Sequence, residues 1–190
     1  GGDYYDPKGN IEEAKRLLAE AGYPDGKGFP EFEYAYNKND THIMIAQAIQ
    51  DMWKKNLGIQ VKLNEVDWKV FLPQRKKGNY EISRDGWIGD YMDAATFMDI
   101  LRAGDGNNDA QYKNPKYDQL LKDAKKEPDP QKRMDILHKA EDVLIKEDMG
   151  LIPVAFYVRD ICKKPFIKEV YQVPTGTIYF KDGYIEGRTK

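Results

Sequence analysis

The sequence predicts an α/β fold, and three observations carry that prediction. Over the first ninety or so residues, short stretches of strand period alternate with longer stretches of helical period. Gly- and Pro-rich turns separate them. The resulting order is strand, helix, strand, helix, strand, which builds a sheet covered by helices. At 190 residues the chain suffices for one large domain, or one and a fraction.

Asn10-Ile11-Glu12-Glu13 reads as an N-cap with Glu at the third helical position, a capping-box-like start. Ile11, Ala14, Leu17, Leu18 and Ala21 then recur at helical spacing until Gly22. After the turn residues Pro24 to Pro30, Phe32, Tyr34 and Tyr36 alternate as a strand. Asp40 is placed to cap the next helix, whose apolar face is Ile45, Ala46, Ile49, Met52 and Trp53 and whose end is Leu57-Gly58. Ile59, Val61 and Leu63 alternate as a second strand. Asp67 opens a short helix from Trp68 to about Lys77, interrupted by Pro73 and stopped by Gly78. Tyr80 and Ile82 begin a third strand running into Gly86-Trp87.

From Thr96 the pattern is helical apart from the polar loop Gly104–Asn114. One helix is expected over about Pro115–Lys126. A longer one opens at Pro130 with Met134, Leu137, Ala140 and Leu144 inward. Leu151–Val158 is an apolar run suited to a buried strand, with Pro153 keeping part of its backbone out of the ladder. The last thirty residues scatter Val, Tyr, Ile and Phe between turn signals, as short extended segments do.

Hydrophobic residues make up 41% and charged residues 33%, with a formal net charge of −2, an ordinary globular balance. This excludes the strongly basic face of a dedicated nucleic-acid binder. No stretch approaches the ~20 apolar residues of a membrane span, and no secretion signal is visible. The lone Cys162 cannot form an internal disulfide. No phosphate-cradling loop, GxGxxG or HExxH is present. His42 and His138 fall on separate helices, so local spacing assembles no zinc cluster. Asp105-Gly106-Asn107-Asn108-Asp109 begins like a calcium loop, but Ala110 replaces the turn glycine and Lys116 the bidentate Glu. It reads as a solvated surface loop. Asp85, Asp90, Asp93 and Asp99 cluster, as helix caps and solvated faces do, and nothing marks two of them as a catalytic pair.

The informative stretch is Asp67–Phe97, with Trp68, Trp87, Arg75, Arg84 and a Gly-Trp-x-x-Asp-Tyr element just after a predicted strand. Loops at strand ends of α/β sheets commonly hold ligands. There Trp87 presents an aromatic wall and Asp90 a carboxylate. The run Asp67-Trp68, Gly78, Tyr80, then Arg84-Asp85-Gly86-Trp87-Ile88-Gly89-Asp90-Tyr91 resembles the solute-binding proteins that include the bacterial oligopeptide and dipeptide receptors. Ala14–Tyr23, Tyr36-Asn37 through His42, Trp53–Ile59, Tyr112–Pro115, Tyr117-Asp118, Ala140-Glu141 and Ile152-Pro153 continue the likeness in order over nearly the whole chain.

The resemblance implies the C-terminal lobe of a two-lobed, type II periplasmic-binding-protein-like receptor that closes over an extended peptide. It implies that Asp90 pairs with the peptide ammonium and that Trp68 and Trp87 wall side-chain pockets, with Arg75, Gly86 and Ile88 nearby. Arg84 and His42 would meet the peptide carboxylate, and Tyr157 would lie near the ligand backbone. Ile88 is bulkier than the family pattern leads one to expect, which favours small or apolar side chains in one pocket. Asp85 is expected to blunt the pull of Arg84. The implied protein is no enzyme and uses no cofactor or metal. Its partners are short peptides, the membrane permease of an ABC importer and the receptor's other lobe, in an extracytoplasmic setting, either periplasmic or lipid-anchored. On this reading residues 1–158 form most of the ligand-binding lobe, and 159–190 a tail that returns to the first lobe. Receptors of the same fold for dipeptides, nickel complexes or sugars are the first alternative; a carboxylate-dependent hydrolase is the second.

Overall fold

In a computed structural model, residue 4 and residues 8–158 and 160–187 are described. Helix α1 spans Ile11–Glu20, and its Asn10 cap accepts a hydrogen bond from the Glu13 amide at 3.0 Å. The Glu13 carboxylate pairs with Arg16 at 2.6 Å, so half of the expected capping box forms. Strand β1 is Phe32–Asn37, α2 is Asp40–Leu57 and β2 is Val61–Val66. The cap of α2 is Asn39 and not Asp40. Asn39 is extended, and its side-chain oxygen accepts from the amides of Thr41 at 3.0 Å and His42 at 3.4 Å. Asp40 becomes the first helical residue, where its charge meets the positive end of the helix.

Gly58 ends α2 in the left-handed region, at φ 70°. Gly26, at φ 72°, lies so close that a Cβ on either glycine would run into the other turn's backbone. The turn after α1 is thereby locked to the end of α2.

Helix α3 spans Trp68–Lys76 and is followed by β3, Ile82–Ser83. The three strands are parallel in the order β2-β1-β3, with Phe32 opposite Val61 and Tyr34 opposite Ile82. Strand β3 is far shorter than the expected run to Trp87. After the Arg84 amide donates to the Ala35 carbonyl at 2.8 Å, Arg75 takes the Arg84 carbonyl and the Asp85 carboxylate, and the backbone leaves the ladder.

The central β1 buries Tyr34, Ala35, Tyr36 and Asn37 in succession, as expected of a strand flanked on both edges. Ala46 of α2, fully buried, packs over Tyr34 and Tyr36 with Ile43, Ile49 and Trp53 around it. Trp53 therefore belongs to the core, as its helical spacing predicts. Helix α3 lies against β1 and buries Phe71.

A second core is helical. Helix α4, Ala95–Met98, runs into a 3-10 turn at Asp99–Leu101. Helices α5, Pro115–Lys126, and α6, Pro130–Asp142, match the sequence expectation, and a π-helical turn at Val143–Glu147 continues α6. Leu101, Tyr117, Leu121, Ala124, Leu137, Ala140, Val143 and Leu144 form the interior. The buried Tyr117 hydroxyl donates to the Met98 carbonyl at 2.8 Å, tying α4 to α5.

Leu151–Val158 is not a buried strand. It pairs with no strand among the described residues, and Phe156 is 93% and Val158 83% exposed. The short sheet ends at β3, and among the described residues most of the run stays exposed. Arg159, the expected start of the tail, lies outside the described residues, as do the two ends of the chain. Beyond it the chain pairs with itself. Strand β4, Ile167–Lys168, meets β7, Tyr184–Ile185, and β5, Tyr171–Gln172, meets β6, Ile178–Tyr179, both antiparallel. Ladders of two residues are marginal; the stacked rings of Tyr171 and Tyr179, centroids 5.5 Å apart, reinforce one of them. No helix among the described residues is long and apolar enough to cross a membrane.

Candidate ligand site at the carboxyl edge of the sheet

The chain leaves β1 for β2 on one side and returns to β3 on the other, so the strand order reverses across β1. Open parallel sheets hold ligands in the crevice beyond such a reversal, at the carboxyl ends of the strands. His42 enters that region from the first turn of α2, and Arg84, Gly86 and Trp87 enter it directly after β3.

The Asn39 cap fixes the first turn of α2, and His42 turns back from it. Its Nδ1 donates to the Asn37 carbonyl at 3.2 Å, which leaves Nε2 of the neutral ring as an acceptor. Burial holds the His42 pKa below the usual histidine range. The nearby Arg84 charge adds to this, and the Asn37 carbonyl opposes it. The Arg84 guanidinium donates to the Tyr157 hydroxyl at 3.3 Å. Tyr34, beneath them, has its pKa raised mainly by burial and lowered in part by Arg84. His42, Arg84 and Tyr157 therefore share one neighbourhood around Tyr34, which the sequence reading did not single out. Its signal was only the strand period that places Tyr34 on one face of β1.

Arg75 is not free for a ligand. Its Nε donates to Asp109 at 2.7 Å and its Nη1 to Asp85 at 2.7 Å, with a longer 3.4 Å contact to the Arg84 carbonyl. The guanidinium also lies over the Phe71 ring, 5.5 Å from its centroid. Two expectations are corrected by this hub. Asp85 turns toward Arg75 and not toward Arg84, and Asp109, read as part of a solvated loop, is buried beneath the arginine. A charge pair 34 residues apart leaves no local pattern. The Tyr80 hydroxyl, donating to the Asp109 carbonyl at 2.7 Å, holds the same loop in place.

Trp87 is partly buried, and its indole nitrogen and the Asn37 side-chain oxygen are both enclosed without a hydrogen-bond partner among the described residues. Trp68, the first residue of α3, is half exposed and contacts Phe71, ring centroids 6.0 Å apart. Gly86 is exposed, and its amide donates to the Asp85 carboxylate at 2.7 Å. Ile88 is also exposed.

The four clustered acids separate into distinct partnerships. Asp93 accepts from Arg133 and from the Ala95 amide, each at 2.8 Å, and the Arg133 hydrogen bond holds its carboxyl below the usual range. Asp99 meets Lys125 at 3.1 Å, and Asp85 meets Arg75. Asp90 is exposed, and its backbone amide donates to the buried Thr96 hydroxyl at 3.0 Å. Its carboxylate has no ion pair among the described residues.

Residues 1–109 match the sequence model of the middle region of the bacterial extracellular solute-binding proteins, family 5. The chain is 36% identical over 182 residues to the oligopeptide-binding protein OppA of Bacillus subtilis, covering 95% of the chain and 33% of that protein. It is 39% identical over 175 residues to the periplasmic oligopeptide-binding protein OppA of Salmonella typhimurium, covering 92% of the chain and 32% of that protein. Among solved structures, Haemophilus influenzae OppA in complex with RPPGFSPFR superposes with a TM-score of 0.79 at 36% identity, over 92% of the chain and 34% of that structure. The chain thus spans about a third of the length of each of these relatives.

Proposed function

The chain belongs to family 5 of the bacterial extracellular solute-binding proteins, and we propose that within this family it captures short peptides. The fold is the α/β lobe of a type II periplasmic-binding-protein-like receptor. Residues 1–158 supply most of the ligand-binding lobe, and 159–190 the tail that returns to the receptor's first lobe. The complete protein works outside the cytoplasm, takes peptides by binding and not by catalysis, and delivers them to the membrane permease of an ABC importer.

The observation that carries this reading is the pair of opposite, unspent charges on one loop after β3. The Arg84 guanidinium, with His42 and Tyr157 nearby, stands at the carboxyl edge of the sheet, and the Asp90 carboxylate, which has no ion pair among the described residues, lies six residues further on. A peptide offers an ammonium at one end and a carboxylate at the other. Asp90 takes the first, and Arg84, with the Tyr157 hydroxyl beside it, takes the second; the neutral His42, whose Nε2 is an acceptor, donates to a carboxylate only when protonated. Trp87 and Trp68 supply aromatic walls between which side chains of varied shape can lie. Affinity rests mainly on hydrogen bonds to the peptide main chain, because those are independent of sequence. Arg75 serves by fixing the loop that carries Arg84 and Gly86.

Native mass spectrometry of the gently purified complete protein, followed by denaturing release, tests the proposal. Co-purified short peptides that disappear in Asp90→Ala are the expected result. A ligand-free protein that also ignores a mixed peptide library overturns it and directs attention to nickel complexes and sugars.

A further inference from the structure

Resting on the peptide reading above, we propose that the 104–114 loop is a bracket that sets Tyr157 against Arg84, with Tyr112 and Asp148 as positioning residues for the carboxylate end of the ligand. The loop reaches both partners of that contact. At Asp109 it pairs with Arg75, which in turn holds Asp85 and the Arg84 carbonyl. At Tyr112 its hydroxyl donates to the Asp148 carboxylate at 2.6 Å, just before the run that carries Tyr157. Asn108 ties these two points together. Its side-chain oxygen accepts from the Tyr112 amide at 3.0 Å, and its side-chain nitrogen donates to the Tyr112 carbonyl at 2.8 Å.

The root of the run is fixed from several sides. One oxygen of Asp148 accepts from both the Tyr112 hydroxyl and the Asn114 side-chain nitrogen, each at 2.6 Å, and these bonds hold the carboxyl below the usual range. Met149 lies in the left-handed region at φ 47°, a conformation that a residue with a side chain keeps only where its surroundings impose it. The Gly150 amide donates to the Leu144 carbonyl at 2.8 Å. A Cβ on Gly150 would come to 3.0 Å from the Tyr112 ring, so the chain passes directly over that ring. Beyond this root no backbone hydrogen bond secures Leu151–Val158 among the described residues, and Pro153 has no amide to give. The run is thus hydrogen-bonded to the lobe at its root and at the Tyr157 hydroxyl. A shift of the root is carried along the chain to Tyr157, whose 3.3 Å contact with Arg84 has little length to spare.

Isothermal titration of the complete protein with trialanine and trialanine amide separates positioning from plain stability, because only the first offers Arg84 a carboxylate. Asp148→Ala, at an exposed position, and Tyr112→Phe, which keeps the ring under Gly150, should each weaken trialanine about fivefold and leave binding of the amide unchanged. Asp148→Asn retains an accepting oxygen and should bind trialanine as the unmodified protein does. In a Tyr157→Phe background, Asp148→Ala should cost nothing further. Equal weakening of acid and amide overturns the bracket, as does unchanged trialanine binding in Asp148→Ala or a further loss in the double variant. Each of these results leaves peptide capture standing. If neither peptide binds the unmodified protein, peptide capture itself falls. The bracket is then decided by the crystal structure of the complete Asp148→Ala protein: an Arg84–Tyr157 contact kept at its native length overturns it, and a broken contact supports it.

Discussion

Arg75→Met should destabilise the fold severely although the residue lies beside the candidate site. The side chain of Asp109 is 7% exposed, that of Arg75 13% and that of Asp85 33%. Removing the arginine leaves Asp109 as a buried carboxylate without its partner, a loss of about 3–5 kcal/mol. The more exposed Asp85 pair adds no more than about 1 kcal/mol, and the 3.4 Å contact to the Arg84 carbonyl is too long to add much. For a chain of this size each kcal/mol shifts the midpoint by roughly 2–4 °C, so a loss of about 4 kcal/mol lowers Tm by about 8–16 °C. Differential scanning calorimetry measures the shift. A double-mutant cycle with Asp109→Leu isolates the pair, because removing both partners of a buried pair costs far less than stranding one. A single-variant loss below about 1 kcal/mol, or additive effects in the cycle, would refute the argument that this hub is buried and coupled.

Burial and Arg84 lower the His42 pKa, so below the ordinary value of 6.5 the unfolded chain binds the proton more readily and stability falls as pH drops toward the folded value. Tm measured against pH should decline more steeply there in the native protein than in His42→Gln, and the two curves should run parallel above that window; parallel curves throughout would contradict it. Asn114 caps α5 through the amides of Lys116 at 2.8 Å and Tyr117 at 3.3 Å, so Asn114→Ala should cost about 1–2 kcal/mol in urea unfolding. Thr96→Val removes the acceptor of the Asp90 amide and should cost about 1 kcal/mol. On the peptide reading it also weakens ligands with a free amino terminus more than their acetylated forms in titration.

Much of the fold was legible because it is local. The bounds of α5 match the expectation from its Asn-Pro start, and Gly58 stops α2 where a left-handed residue was required. Boundaries slipped where two neighbouring side chains could do one job. Asn39 and Asp40 are both competent caps, and the amide won the cap while the acid took the first helical position. Within the candidate site, the sequence pointed to Asp90, Trp87 and Arg84 through one short loop. It could not indicate that Asp85 turns away from Arg84 or that Asp109 lies under Arg75. Those facts depend on which distant groups α3 and the 104–114 loop bring together, and a buried ion pair imposes no period on either segment. The same limit applies to Thr96, whose hydroxyl matters only because the chain folds back six residues to reach the Asp90 amide.

Leu151–Val158 shows where such reading stops for a physical reason. Apolar composition states that a segment is stabilised by leaving water; it does not state which surface receives it. Within the described residues the only substantial sheet has three strands, and its last strand pairs for two residues. That edge gives an eight-residue run little to join. Tyr157, in the middle of the run, nevertheless meets Arg84 at 3.3 Å, so the segment touches the site at one point while Phe156 and Val158 on either side stand in solvent. Side chains of an extended segment alternate between faces. Tyr157 therefore points to the lobe described here, and its two neighbours point away from it. On the proposed two-lobed reading, such a segment would pass between two bodies, each taking one face, and its apolar composition would be met only when both are present.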